Sequence, residues 1–358
     1  MKDGGPGKSS LLSYARLLMF KRHPILKYVL LRIFNYLFTI WAAATVAFFA
    51  FRMVPTNPVD AWVKSLERQY SVTVPKGSEM VAYYKEQFGL NGTVWDQYTH
   101  YLNQLLHGSL GPSFINFPTP VEELLMRRLP WTVGLLSFSI LIAWVLGLLM
   151  GTIAGWFRDS VASDWLTNLA IALSQIPPYL VAIFLVLIIG YQLKLLPTRG
   201  SFDGQYAIGF NWDFIKSVIS HSILPALSII VVSLAGWTLS TRSLIINILG
   251  EDYLMYAEAK GLKPWEIMTR YALRNAMLPQ AMGLALTMGF LMSGQLLIEI
   301  LFVYPGIGEL MSRAIAVFDY NSMMGIILLS VFSVMTASLI VELALPLIDP
   351  RIRREIIA

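Results

Sequence analysis

Six runs of about twenty mostly apolar residues constrain this chain more than anything else in it: 29–50, 131–157, 166–190, 221–241, 280–301 and 323–346. A helix crossing the hydrocarbon core of a bilayer needs about 20 such residues. Backbone in lipid must also satisfy its own hydrogen bonds, which a helix does within one segment. The runs therefore predict an all-α, polytopic membrane protein with six transmembrane helices. Composition agrees, with 56% of the 358 residues hydrophobic and 14% charged, where soluble domains have about 45–50% and about 25%. The organisation expected is a tail with an interfacial helix at 1–28, a first span at 29–50, an external segment at 51–130 and a five-span core at 131–346. A tail at 347–358 closes the chain, and a loop at 248–278 interrupts the core.

Lysine and arginine near span ends set orientation. With the N-terminus inside, the inner segments hold 16 of the 27 basic residues, among them Arg16, Lys21, Arg22, Lys27, Arg158, Arg242, Lys260, Arg270 and Arg351. The short outer loops hold only Lys194, Arg199, Lys216 and Arg313. Both termini and the 248–278 loop are thus expected on the cytoplasmic side of a bacterial or archaeal plasma membrane. The net charge of +5 is accounted for by inward basic residues facing anionic lipid, so no nucleic-acid partner is expected. Cysteine is absent, which excludes disulfides and cysteine-based metal or thiol chemistry.

Before the first run, Gly7-Lys8-Ser9 has the ending of a phosphate-binding loop, but the glycine required six residues before the lysine is Lys2. Residues 11–26 suit a helix lying on the inner membrane surface, and the first run is expected to be retained as a span rather than cleaved. In the external segment, Thr93 and Asp96 form a capping box. Trp95, Tyr98, Leu102 and Leu105 follow at helical spacing until Gly108. A second box, Thr119 to Glu122, is expected to open a short helix leading to Pro130 and the second span. Gly147, Gly151 and Gly155 lie four apart in that span, where small residues let another helix approach closely. Pro177-Pro178 should break the third span.

No HExxH, G-x-S-x-G or carboxylate pair at metal spacing occurs, and His23, His100, His107 and His221 are scattered. This speaks against an intramembrane enzyme or a metal centre. A self-contained channel or ion-coupled carrier would be expected to bury charges at mid-span. Arg32 and Glu342 lie near span ends, where long side chains can snorkel. Glu299, near the outer end of the fifth span, either faces a pathway or bonds to the loop beyond it.

The segment 251–279, EDYLMYAEAKGLKPWEIMTRYALRNAMLP, is charged, yet rich in helix formers. Gly261 should end one short helix and Pro264 open a second. Most polar loops only connect spans, but about thirty residues is long for a connection in a compact bundle.

Asp252-Tyr253, Ala257-Glu258-Ala259-Lys260-Gly261-Leu262, Leu273-Arg274-Asn275-Ala276 and Leu278-Pro279 resemble the coupling loop of ABC importer permeases, in the dipeptide/oligopeptide version. The general importer signature carries Glu-Ala-Ala six to four residues before the glycine. Here Met255, Tyr256 and Ala257 occupy those places, and the departure favours the peptide-type subfamily. Further matches are Gly108 to Phe114, Ile176-Pro177-Pro178-Tyr179-Leu180, Leu195 to Gly200, Glu299 with Tyr304-Pro305-Gly306-Ile307-Gly308, Asp319-Tyr320 and Asp349-Pro350-Arg351.

The resemblance implies a type I importer permease fold. It also implies a homologous second permease with the pathway between the two, and an extracytoplasmic substrate-binding protein. Two ATPase subunits would hold ATP and Mg, with no cofactor on this chain. The coupling loop, Asp252, Tyr253, Ala257, Glu258, Ala259, Lys260, Gly261, Leu262, Pro264, Arg274, Asn275 and Pro279, would dock into a cleft on an ATPase subunit. Candidates to line the pathway are Pro177, Pro178, Ser293, Gln295 and Glu299. Cargo stays open between di- and oligopeptides, oligosaccharides and a nickel chelate.

Overall fold

In the computed structural model, residues 24–54, 59, 63, 67 and 79–348 are described. The tail ahead of Pro24, which carries most of the expected interfacial helix, and Asp349-Pro350-Arg351 lie outside the described residues. Among those described, regular structure is helical apart from one isolated bridge, Pro112 with Pro120.

The first span is α1, Pro24–Arg52, about 44 Å long at 1.5 Å per residue. It buries little of its own surface (Ala44, Ala47 and Phe48) and packs along the last span, α13 (Tyr320–Ile348). Three of its polar side chains, Tyr28, Arg32 and Tyr36, come at four-residue spacing and face α13. The Tyr28 hydroxyl donates to the Glu342 carbonyl oxygen at 3.0 Å. Arg32 pairs with the Glu342 carboxylate at 3.3 Å, and the Tyr36 and Thr336 hydroxyls lie 3.0 Å apart. The two charges expected to snorkel separately are therefore partners.

Outside the bundle lie α2 (Glu79–Gln87) and α3 (Val94–Leu106). The capping box forms as expected: the Asp96 amide donates to Thr93 Oγ1 at 3.2 Å, and the Thr93 amide returns to Asp96 Oδ2 at 2.9 Å. Tyr98 is buried against Phe48, with Tyr101 and Leu102 beside it, while Trp95 stays 65% exposed.

The second box is not realised. Pro120 caps α4, Val121–Trp156, without a side-chain bond, and the Glu122 carboxylate instead accepts from the Leu110 amide at 3.0 Å. Nor does a separate short helix precede the span, because α4 runs unbroken through Pro130. A proline removes one helical bond, and neighbouring helices and apolar surroundings hold the rest of the ladder in place.

The core is α4 against α7, Trp212–Ile248, the most extensive helix pair in the molecule. Gly147, Gly151 and Gly155 make it possible. A Cβ on Gly151 would stand 2.5 Å from the Thr238 carbonyl oxygen and 2.6 Å from Thr241 Cβ. On Gly147 it would meet Trp237 Cβ at 2.4 Å, and on Gly155 Ile245 Cβ at 2.7 Å. Backbone contacts this close need glycine, and in lipid such packing drives helix association.

Two of the six expected spans are not continuous helices. Four helices, α1, α4, α7 and α13, are each long and apolar enough to cross alone. The third run divides into α5 (Val161–Ser174) and a second arm, α6 (Pro178–Leu185) with a π-helical end at Val186–Gln192, and the two arms are bent by 94°. Neither Pro177 nor Pro178 has an N–H to donate, so the ladder stops there. The fifth run is interrupted where proline gives no warning. After α10, Arg274–Phe290, come a 3₁₀ turn at Leu291–Ser293, Gly294 at φ +73°, and α11, Leu296–Leu301. Beyond it, α12 (Ile307–Ala316) leads to the last span.

Candidate functional site

The segment between the fourth and fifth spans forms a projecting loop. Helix α8, Asp252–Ala259, ends as the glycine predicts. Gly261 sits at φ +74°, its amide donates to the Glu258 carbonyl at 2.8 Å, and the Leu262 amide donates to that of Ala257 at 3.3 Å. These paired bonds are the Schellman termination, which an L side chain at Gly261 would strain. Pro264 opens the next helix at its first position, as expected. That helix is not a separate short one, however. Helix α9, Pro264–Glu266, passes through a π-helical stretch, Ile267–Leu273, straight into α10 and the membrane run. The turn and the fifth run are thus joined by unbroken helix.

Sequence periodicity divides the loop into two faces. Leu254, Ala257 and Ile267 are buried, packed with Trp156 at the end of α4 and with Ile248 and Leu249 at the end of α7. The Asn275 amide donates to the Tyr253 hydroxyl at 2.9 Å, pinning α8 to the base of α10. Asp252, Glu258, Ala259, Lys260, Gly261, Pro264, Arg274 and Pro279 are exposed. So are three bulky residues the sequence reading left out: Met255 (63%), Tyr256 (70%) and Trp265 (68%). Their signal was available, since each lies off the apolar stripe that packs on Trp156.

Two buried carboxylates organise the opposite end. Glu299 is fully buried. It accepts from Thr132 Oγ1 at 2.9 Å, from the Gly308 amide at 2.7 Å and the Glu309 amide at 3.2 Å, and from the Gln295 amide at 3.4 Å. Of the two roles open to it, the bond to the loop beyond is the one present. Four donors replace the water that such a charge would otherwise need. Gly306 leaves room for it, because a Cβ there would fall 2.2 Å from Glu299 Oε2.

Asp319 is also fully buried. Its Oδ2 accepts from the Ser113 and Ser322 hydroxyls and from the Phe114 amide at 2.9 Å, while Oδ1 accepts from the Ser322 amide at 3.1 Å. It ties the 113–115 turn to the start of α13, a role that its place in a two-residue motif did not disclose.

Of the remaining pathway candidates, Pro177, Pro178 and Gln295 lie at the two span breaks. Pro177 and Gln295 are exposed, and Pro178 is partly buried as the first residue of α6. Between α4 and α7 runs a groove of about 840 Å³ walled by Trp131, Phe138, Phe214, Leu227 and Ile230, with Arg127 at one end. Only Ser222 and Tyr304 add hydroxyls to its interior, so it suits hydrocarbon better than a polar solute. Among the described residues, no group of three or more histidines and carboxylates is placed to hold a metal.

Residues 145–354, which include the projecting loop and both span breaks, match the family described as binding-protein-dependent transport system inner membrane component. Dipeptide transport system permease protein DppB of Escherichia coli (strain K12) is 30% identical over 329 residues, covering 87% of this chain and 94% of that protein. Oligopeptide transport system permease protein AppB of Bacillus subtilis (strain 168) is 30% identical over 75% of this chain and 83% of its own length. Glutathione transport system permease protein GsiC of Shigella flexneri serotype 5b (strain 8401) is 26% identical over 92% and 99%.

Proposed function

Because the chain belongs to the family of binding-protein-dependent transport system inner membrane components, we propose that it is the permease half of an ATP-driven importer of di- and oligopeptides. Its names for cargo come from its relatives, which are permeases for dipeptides, oligopeptides and glutathione. In this reading a second permease completes the pathway, a substrate-binding protein delivers cargo outside, and two ATPase subunits bind ATP and Mg inside. Both termini and the 251–279 loop face the cytoplasm.

The observation that carries the coupling role is the division of the loop into two faces. One face is locked onto the ends of the second and fourth spans. The other exposes Met255, Tyr256 and Trp265, with Lys260 and Gly261, among the described residues. Exposed aromatic and methionine side chains ringed by charge are what a protein interface offers. When the ATPase pair closes, it moves this knob, and the continuous helix into α10 carries the movement to the span. Work is transmitted only if the knob binds the closed and open ATPase pairs with different free energies.

Gly261→Arg tests this. A Cβ at Gly261 has no atom within 4 Å, so the change leaves the bundle's packing alone and costs only roughly 1 kcal/mol of backbone strain. The expected result is a normally inserted permease that no longer imports peptide and no longer lets loaded binding protein stimulate ATP hydrolysis. Import at the wild-type rate in reconstituted vesicles would remove the coupling role from this loop.

A further inference from the structure

The two breaks in the spans share a feature beyond their backbone geometry: each exposes a primary amide. Gln175 is the last residue of the α5 arm, just before Pro177-Pro178, and its side chain is exposed. Among the described residues its side chain makes a single hydrogen bond, a long one of 3.4 Å to the neighbouring Ser174 hydroxyl. Gln295 follows Gly294 in the fifth run and is also exposed. Among the described residues its side chain makes no hydrogen bond, while its backbone is held at φ −110°, ψ 80° with its amide on the buried Glu299 carboxylate.

The breaks lie against the same part of the bundle. Tyr179, one turn after Gln175, packs on the apolar cluster to which Ile298, one turn after Gln295, belongs. Helices α6 and α11, which begin just past the two breaks, touch directly. Gln175 sits well inside its apolar run, and Gln295 lies six residues before the end of its own. Fourteen residues of helix precede Gln175 and the fifteen of Pro178–Gln192 follow Pro177, while α10 precedes Gln295 and α11 follows it. Their exposed neighbours are apolar: Ile171 and Leu180 in one run, Leu296 and Leu297 in the other.

An amide turned to hydrocarbon at this depth would lose hydrogen bonds that lipid cannot replace. Polar side chains and interrupted backbone within the hydrocarbon layer persist where they line a cavity or a substrate path. Resting on the reading of this chain as a peptide permease, we propose that Gln175 and Gln295 form a paired amide station on the pathway that hydrogen-bonds the backbone of a passing peptide. The chemistry suits that cargo. A carboxamide donates and accepts at once, matching the N–H and C=O that every peptide presents whatever its side chains. Neutral groups also hold a zwitterionic peptide without trapping either end. Glu299 is the positioning residue of the pair, because its bond to the Gln295 amide fixes the turn that turns this side chain outward.

The natural absence of cysteine makes the test direct. Gln175→Cys and Gln295→Cys are each introduced into the full permease–ATPase complex in proteoliposomes. A charged, membrane-impermeant methanethiosulfonate is then applied, with and without trialanine presented by the binding protein. Leu187→Cys, on the exposed apolar side of α6's π-helical end, serves as the lipid-facing control. The expected result is labelling at 175 and 295 but not at 187, slowed by trialanine at both amide positions.

Gln295→Leu should also raise the KM for trialanine about fivefold, the loss of one ordinary hydrogen bond, with Gln295→Asn recovering part of it. No labelling at either amide position, or labelling that trialanine leaves unchanged, overturns the station even if the wild-type complex imports trialanine normally. A wild-type complex that assembles but imports no trialanine instead overturns the peptide reading, and the station falls with it.

Discussion

Replacing Glu299 with alanine should strongly destabilise the turn that joins α11 to α12 and packs it on α4. The carboxylate accepts the backbone amides of Gly308 and Glu309 and the Thr132 hydroxyl, and every one of these bonds is buried. Thr132 also accepts the Ile307 amide at 2.8 Å, so the carboxylate holds the start of α12 onto α4 at two removes. In Glu299→Ala the Gly308 and Glu309 amides lose their acceptor. A buried donor left unmade costs about 1–3 kcal/mol, so the pair contributes about 2–6 kcal/mol.

Glu299→Gln keeps the volume and one carbonyl oxygen but turns an NH₂ toward one set of donors. It should fall between alanine and wild type. The measurement is thermal unfolding of the detergent-purified complex followed by tryptophan fluorescence, with import in vesicles as a second readout. Thr132→Val combined with Glu299→Ala should cost less than the sum of the two, since both act on one network. A Glu299→Ala protein that melts within a degree of wild type, or strict additivity with Thr132→Val, would refute the assignment of this carboxylate as the loop's anchor.

Gly151→Leu should force α4 and α7 apart, because even the first added carbon would sit 2.5 Å from the Thr238 carbonyl. Overpacking of this kind costs about 1–3 kcal/mol or more, and lower yield and melting temperature should follow, with Gly134→Leu, at an open position, as the tolerated control. Tyr101, on α3, supplies a pH test. Burial, and next the neighbouring Tyr98, push its phenol up to about 12 from the usual 10. Its contribution to stability is therefore complete below pH about 10 and lost as pH rises toward about 12. Tyr101→Phe should flatten that part of the wild-type stability profile, and a profile identical to wild type would contradict the burial. For topology, Lys260→Cys and Gln205→Cys should label from opposite sides of the membrane with an impermeant reagent, and same-side labelling would overturn the cytoplasmic placement of the loop.

What the sequence by itself determined is whatever local chemistry dictates. Apolar runs of bilayer length can only become helices, the capping box at Thr93 and Asp96 closes over four residues, and Pro177-Pro178 must break a ladder for want of two N–H groups. Gly261 and Pro264 set the turn of the projecting loop through their own backbone preferences. Close packing at Gly147, Gly151 and Gly155 was legible as a pattern, although the partner helix was not.

Only the tertiary structure decided the rest, and the reason is the same each time: the deciding partner is remote in sequence. Arg32 and Glu342 look like separate snorkelling ends until α1 lies along α13. Thr119 to Glu122 reads as a capping box, but Glu122 is taken by the Leu110 amide. The fifth run reads as a continuous span because its residues are apolar. It breaks at Gly294, where a Cβ would meet the Gly308 amide nitrogen at 2.7 Å and where Glu299 holds the Gln295 amide. Two equal roles for Glu299 became one when the 306–309 turn brought its amides to the carboxylate. Periodicity says which face of a helix is apolar, but it does not say which distant donor a buried charge will find.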